Sequence, residues 1–537
     1  MSHLRRVCAL AAAATLSLGG VTLVASPARA ASTDSRPVSI GAAWLASQLT
    51  DGLLPGDFGP LYGPSIDAAL SLQAVGQGAG SVAAIRAAVE GAVQKNDYIT
   101  GEAFGDTGST YAGAVAKTLV LAEQTGGGQT SFGGVNLVTR LEAQVSSAAP
   151  DAGRVTDTST FGDFANTLGQ AFAARGLSAA ASTKAGSAVS FLLLQQCSDG
   201  YFRQDFAAPA AADQTCDAGI ATGDSAPSID ATAIAAQQLQ AISSPSPAVT
   251  DAISKATTWL LSHQRGDGSF AADAQLGTNA NSTGVAGAVL GNAGQTAAAA
   301  RAATWVRAHQ VDEAPGCVSA LAGQTGAIGY DDAALADGRA SGLGGGQQWR
   351  IATAQALPSL ASAPSAGSTL TLTGPGGFVK ATSTATYRVT GAAPGTTPCV
   401  TGIGGSHRLT ADANGAASVD LTLPAGTAVR TATVTAPGGA SAAAATRVLG
   451  ARTFKVRPAR WTVHRGARLH VVVRGLVRGE RVTLRLRGVT VKVGTANGRG
   501  RFVSDLRVGR RLGRAKIVAR GQFPAIRHGV AVIHVVR

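Results

Sequence analysis

"KATTWLLSHQRGDGSF", residues 255–270, reads as the end of an amphipathic helix running into a tight turn. Ala256, Trp259 and Leu260 share one helical face. Gln264 falls where the last backbone groups of the helix lack intrahelical partners, and a side-chain amide can bond them. Gly268 allows the positive φ of a helix-terminating turn, and Phe270 has the bulk to cover it. The spacing returns in "SAVSFLLLQQCSDGYF" (187–202) through Phe191, Leu192, Gln196, Gly200 and Phe202. "RAATWVRAHQ" (301–310) keeps Trp305, Val306 and Gln310, and "WLASQLTDGLLPGDF" (44–58) is a looser copy with Trp44 and Gln48.

These turns close amphipathic helices at 38–49, 134–145, 185–196, 253–264 and 299–310, with a sixth expected within 82–95. Between them lie Ala-rich stretches with small or apolar side chains on most faces, at 65–76, 109–126, 159–176, 228–242, 281–294 and 347–360. A helix apolar nearly all round is buried. Six outer and six inner helices therefore alternate. Neither end shows the polar capping repeat that an open solenoid needs, so a closed ring is expected.

On the quoted residues the stretch resembles the QW repeat of squalene and oxidosqualene cyclases, over roughly 38–360. The resemblance implies the (α/α)6 toroid of terpene cyclases, protein prenyltransferase β subunits and cobalamin-carrier proteins. It also implies that ligand and catalytic positions gather where the inner helices begin. The residues there are Asp67, Tyr111, Phe161, Asp163, Asp230, Thr283 and Trp349, the candidate ligand-binding set. For Asp67 and Asp230 the plainer reading is stabilisation of a helix N-terminus. The Asp-x-Asp-Asp acid of squalene–hopene cyclases is absent. The nearest approach is "GYDDAALAD" (329–337), which makes Asp331 and Asp332 weak candidates for a shared-proton acid. The Asp-x-Cys and distant His of a prenyltransferase zinc site are absent too, and no metal or other cofactor is expected. His263 and His309 precede the repeat Gln in equivalent positions and read as structural.

Residues 1–30 read as a secretory signal peptide with Arg5 and Arg6, an apolar stretch and "ARA" before Ala31. The expected location is extracellular or at the cell envelope. Four cysteines then remain, an even number that suits disulfides in an exported chain. Cys197–Cys216 would staple a loop, with Tyr201, Arg203 and Phe206 over the ring's mouth. Cys317–Cys399 would tie two domains.

Beyond a linker at 360–368 the pattern changes to period-2 alternation, at 383–397, 415–426, 467–482 and 500–509. Ala413-Asn414-Gly415 recurs 83 residues on as Ala496-Asn497-Gly498. The division expected is a toroid over 31–365 and two immunoglobulin-like β-sandwiches, at 366–450 and 451–537.

The formal charge of +14 conceals an asymmetry: 31–365 carries 15 basic and 27 acidic side chains, and 451–537 carries 22 and 2. The alternation in "RVTLRLRGVTVKV" puts Arg481, Arg485 and Arg487 on one face, suited to anionic envelope polymers or lipid head groups. Few aromatics accompany them, which argues against sequence-specific nucleic-acid binding. The function expected is a surface-associated, non-catalytic binding protein whose ring holds a small ligand or peptide. A divergent terpene cyclase and a purely structural module are the alternatives.

Overall fold

The computed structural model describes residues 32–272 and 276–537; the signal-peptide reading lies outside them. Among the described residues, helices run in the order α1 (Arg36–Ser47), α2 (Tyr62–Ala74), α3 (Ala79–Gln94), α4 (Ala112–Thr125), α5 (Leu137–Glu142), α6 (Thr167–Ala179), α7 (Ala185–Leu194), α8 (Ile229–Gln240), α9 (Pro247–His263), α10 (Ala280–Asn292), α11 (Thr296–Ala308), α12 (Asp332–Ser341) and α13 (Gln347–Ala356). Helices α2, α4, α6, α8, α10 and α13 each pack on the next, and α13 returns to α2. This inner ring is sheathed by α3, α5, α7, α9, α11 and α1, with α3, α5 and α9 each packed across two neighbouring inner helices. No described helix is long and apolar enough to cross a membrane.

Small side chains let the inner helices meet backbone to backbone. A Cβ on Gly169 of α6 would stand 3.1 Å from the Gly113 Cα of α4, and one on Gly284 of α10 would overlap Ala356 of α13. The high Ala and Gly content is thus a packing requirement of the ring.

The repeat turns weld neighbouring outer helices together. Gln264 Nε2 donates to the Gly268 carbonyl at 3.1 Å and to the Ala298 carbonyl of α11 at 2.9 Å. Gln196 does the same to Gly200 and to Ala252 of α9, both at 2.9 Å. Gln310 bonds Gly326 at 3.3 Å and, at 2.9 Å, Pro37 of α1, so the last seam closes on the first helix. Gly200 sits at φ 104°, where a Cβ would meet the Lys255 carbonyl of α9 at 2.8 Å. The residue after the turn is held from the inner ring. The Phe202, Phe270 and Ile328 amides each donate, at 2.9 Å, to the hydroxyl of Thr232, Thr283 and Thr353. Trp259 stacks on His263 and Trp305 on His309, with ring centroids 3.9 and 3.7 Å apart.

Two expected boundaries move. The third inner helix begins at Thr167, capped by Asn166, and not at 159. Residues 159–165 instead form a loop tied by the carboxylates of Asp106, Asp157 and Asp163. The third outer helix is only six residues long.

The C-terminal part is all β. Strands between Thr371 and Leu449 form a three-stranded and a five-stranded sheet around a core that includes Leu372, Tyr387, Val400 and Val434. Strands between Arg452 and Val536 form a three-stranded and a six-stranded sheet around Val471, Val473, Leu484, Ile517 and Ile533. The turn equivalence is offset by 85 residues, not 83. Asp412 Oδ1 accepts from the amides of Asn414 and Ala416, as Asn497 Oδ1 does from Arg499 and Arg501. Gly415 and Gly500, both at positive φ, follow at the same offset. The disulfide Cys317–Cys399 joins helical and β parts. Beside it Arg408 pairs with Glu313 at 2.5 Å, and Arg36 pairs with Asp312 at 2.7 Å.

Candidate functional site

The inner ring encloses a cavity of about 720 Å³. It runs from Tyr111 at the start of α4 to Gln124 at its end, about 20 Å at the helical rise. It is therefore longer than it is wide, an elongated channel along the ring's axis.

The channel has three zones. At the mouth, Asp67 of α2 and Lys117 of α4 form an ion pair at 2.7 Å, with the Lys117 ammonium 5.5 Å over the Phe172 ring. Tyr98 and Tyr111 flank them. Burial, aided by the Asp67 charge, pushes the Tyr98 hydroxyl far above the usual phenol range. Tyr111 is also raised, by burial and by Asp106. Asp157 lines the mouth and accepts from the Ala112 and Phe164 amides at 2.7 and 3.2 Å. Burial holds its carboxyl above the ordinary range. The middle is apolar, with Leu70, Leu168, Ile234 and Val285. The far end is amide-rich: Gln124, Gln237, Gln238, Gln240 and Asn292 surround Arg175. Arg175 pairs with Glu123 at 3.1 Å and donates to Gln238 Oε1 at 3.2 Å.

Of the sequence-derived set, Asp67 and Tyr111 line this cavity. Asp163 instead pairs with Arg154 at 3.1 Å and builds the 157–165 loop through the Asp157 and Ala165 amides. Phe161 is exposed on that loop; its neighbour Phe164 reaches the cavity. Asp230 stands in the first turn of α8, off the cavity. Thr283 is committed to the Phe270 seam. Trp349 is buried under α12, against Gly329 and Gly338. Asp331 caps α12 through the Ala334 amide at 2.8 Å, and Asp332, 96% exposed, accepts from His309 Nε2 at 3.1 Å. Neither lines the cavity.

Cys197 and Cys216 are bonded, yet the stapled loop does not cover the channel. The Tyr201 hydroxyl donates to Ser225, buried Arg203 bonds Gln195 and Gln214, and Phe206 packs edge-on against Phe191. The loop encloses a separate hollow of about 630 Å³. Among the described residues, no group of three or more His, Cys, Asp or Glu could hold a metal ion.

The sequence reading missed Tyr98, Lys117, Asp157, Phe172 and Arg175. Lys117 and Arg175 left a signal: each is a lone cation within an otherwise apolar inner helix ("GAVAKTLVL", "AFAARGL").

In the C-terminal sheets Arg481 is exposed on its strand, but Arg487 is not its neighbour on that face. A bulge follows Leu484, and Arg487 occupies the hairpin turn at φ 49°. Its guanidinium donates to the carbonyls of Arg511, Leu512 and Gly513. Arg485 bonds the Gly488 carbonyl across the same turn. Strand parity fails here because turn and bulge interrupt the alternation.

The helical domain resembles that of a type II terpene cyclase. MstE from Scytonema is 15% identical with a TM-score of 0.40, over 61% of this chain and 97% of that one. A protein from Actinoplanes is 16% identical with a TM-score of 0.42, over 61% and 98%. The β-rich part has adhesin neighbours. InvE from Yersinia pseudotuberculosis is 13% identical with a TM-score of 0.18 over 32% of this chain, which spans 58% of that protein's length. No family model matches the chain, and neither does any curated protein. At these identities and scores no property of those proteins passes to this chain.

Proposed function

We propose that this is an exported, surface-associated binding protein. Its ring holds an elongated small molecule or peptide, and its basic end, the second of two immunoglobulin-like sandwiches, contacts anionic envelope polymers. The observation that carries the first part is the channel itself. It has an apolar body between polar ends, and its cations are already paired, Lys117 with Asp67 and Arg175 with Glu123. Pockets of this composition bind amphipathic ligands. The two disulfides fit an oxidising compartment.

The second part rests on the three-stranded sheet of the basic region. Arg468 stands directly opposite Arg507, and Arg474 opposite both Arg501 and Lys455. Like charges so placed repel, and a polyanion relieves that repulsion. A catalytic reading, that of a divergent terpene cyclase, is favoured by one group, Asp157, whose cavity-facing carboxyl is raised by burial.

Mass spectrometry of solvent extracts from the purified protein tests the ring. A small molecule near one per chain is expected, lost in Ile234→Trp, which fills the channel. Empty wild type that binds no 1-anilinonaphthalene-8-sulfonate refutes the binding reading. Conversion of a polyprene, abolished by Asp157→Asn, establishes the catalytic one. For the basic end, Arg468→Glu/Arg474→Glu is expected to weaken binding to inorganic polyphosphate at low salt, and unchanged binding refutes it.

A further inference from the structure

Outer and inner helices alternate in direction, so every loop leading from an outer helix to the next inner one emerges on the same face of the ring. Among the described residues those six loops (48–61, 95–111, 143–166, 195–228, 264–279 and 309–346) carry nineteen Asp and Glu against five Lys and Arg; of these acids Asp106 is buried, and Asp312 and Glu313 are paired with Arg36 and Arg408. The loops of the opposite face (75–78, 126–136, 180–184, 241–246 and 293–295) carry one charged residue, Lys184. Nearly all the ring's excess negative charge is therefore on one surface. That surface also presents Phe58, Phe104, Phe161 and Phe164, each more than half exposed, and Ile220. An acidic surface studded with apolar tips fits a partner that is both cationic and apolar.

The same chain contains such a surface. On the outward face of the six-stranded sheet, cross-strand partners alternate between cation and valine. Lys516 stands opposite Val532, Arg485 opposite Val518, and Val518 opposite Val530. Val530 and Val532 are 43% and 38% exposed. The three-stranded sheet of the same region mixes these pairings with cation opposite cation, at Arg468–Arg507 and Arg474–Arg501, and carries an acid, Asp505, opposite His470. The dimensions agree. Five strand positions and seven residues span about 24 by 23 Å. Six inner helices at about 9 Å spacing form a ring about 18 Å across, before the loops are added.

We propose that the six-stranded face of one copy docks on the acidic loop face of another, in head-to-tail self-association. The two patches differ, so the contact is heterologous and propagates rather than stopping at a dimer. Docking also covers the channel mouth, which Phe164 marks.

Sedimentation velocity of the full chain without its signal segment tests this, at about 50 mM and about 500 mM salt, where screening differs strongly. The expected result is a sedimentation coefficient that rises with concentration at low salt and falls to the monomer value at high salt. One variant, Asp57→Lys/Glu102→Lys/Asp205→Lys, reverses exposed loop-face charges. A second, Arg514→Glu/Lys516→Glu/Arg520→Glu, reverses the sheet face. Each alone is expected to stay monomeric with an unchanged melting temperature. Mixed, they are expected to associate again, because each variant restores opposite charge to the contact the other has lost. A third variant, Phe58→Ser/Phe161→Ser, leaves the charge intact and is expected to weaken association about tenfold. Wild type that stays monomeric at low salt overturns the proposal. So does either charge variant that associates like wild type, or a mixture of folded variants that does not associate.

Discussion

The seams between outer helices and the channel inside the ring are built on opposite plans. At the seams one device recurs: a Gln amide bridges two carbonyls, a Gly admits the next helix, and a Thr hydroxyl holds the following amide. In the channel the polar groups follow no repeat. Lys117 of α4 pairs with Asp67 at the mouth, whereas Arg175 of α6 pairs with Glu123 at the far end. Repeated geometry carries the fold, whereas departures from the repeat carry the site.

The sharpest way to break the seam side is Gly268→Val. A β-branched residue at φ 94° is strained, and its Cβ would overlap the Arg301 carbonyl. A loss of ~4 kcal/mol or more is expected in denaturant unfolding. Less than about 1 kcal/mol would mean that the helices slide apart without cost and that the seam does not lock the ring. Gln264→Ala removes the two bonds its amide donates to the Gly268 and Ala298 carbonyls and the one its carbonyl accepts from Arg301. About 2 kcal/mol is expected, and Gln196→Ala should cost less, because Gln196 makes the same two donated bonds without the arginine bond.

On the channel side, Lys117→Met leaves Asp67 without its partner in a setting where both side chains are under one-fifth exposed. About 1–2 kcal/mol is expected, because residual solvent screens the pair. Lys117→Met/Asp67→Leu should recover most of it. A double variant as unstable as the single one would show that the pair is not a unit.

The contrast also explains what could be read from residues alone. A motif copied several times declares its spacing, so the helix alternation, the closing order and the structural standing of Gln264 and Phe270 are legible before any coordinates. The site was sought by the same logic, at equivalent positions after each helix start, and that logic fails where units diverge. Thr283 and Trp349 sit at such starts but serve packing, because an inner helix turns most of its surface to neighbours. Tyr98 comes from a connecting loop with no periodic signature, and its place beside the channel is set by packing on Tyr62 of α2. Arg487 fails for a local reason: its strand ended one residue earlier.

The finest test concerns Asp157 at the mouth and Asp106, which bonds the mouth's Tyr111, two carboxylates whose ionisation is displaced in opposite directions. Asp106 is held below the ordinary range by bonds from Ser159 and Thr160, and Asp157 is held above it by burial. A depressed carboxylate stabilises the fold above its unfolded value, and that contribution is lost as pH falls through the lower folded value. A raised carboxyl does the reverse: its contribution is complete below its unfolded value and is lost as pH rises through the higher folded one. In the wild type the two act on opposite sides of the ordinary carboxylate value: Asp106 makes stability fall on acidification below it, and Asp157 makes stability fall as pH rises above it. Asp106→Asn removes the acid-sensitive half. Its stability should therefore be less dependent on pH below ~4 than that of the wild type, with the residual slope falling towards neutral pH. Melting temperatures measured across that range check it, and a variant with unchanged acid sensitivity would separate Asp106 from the loop it ties.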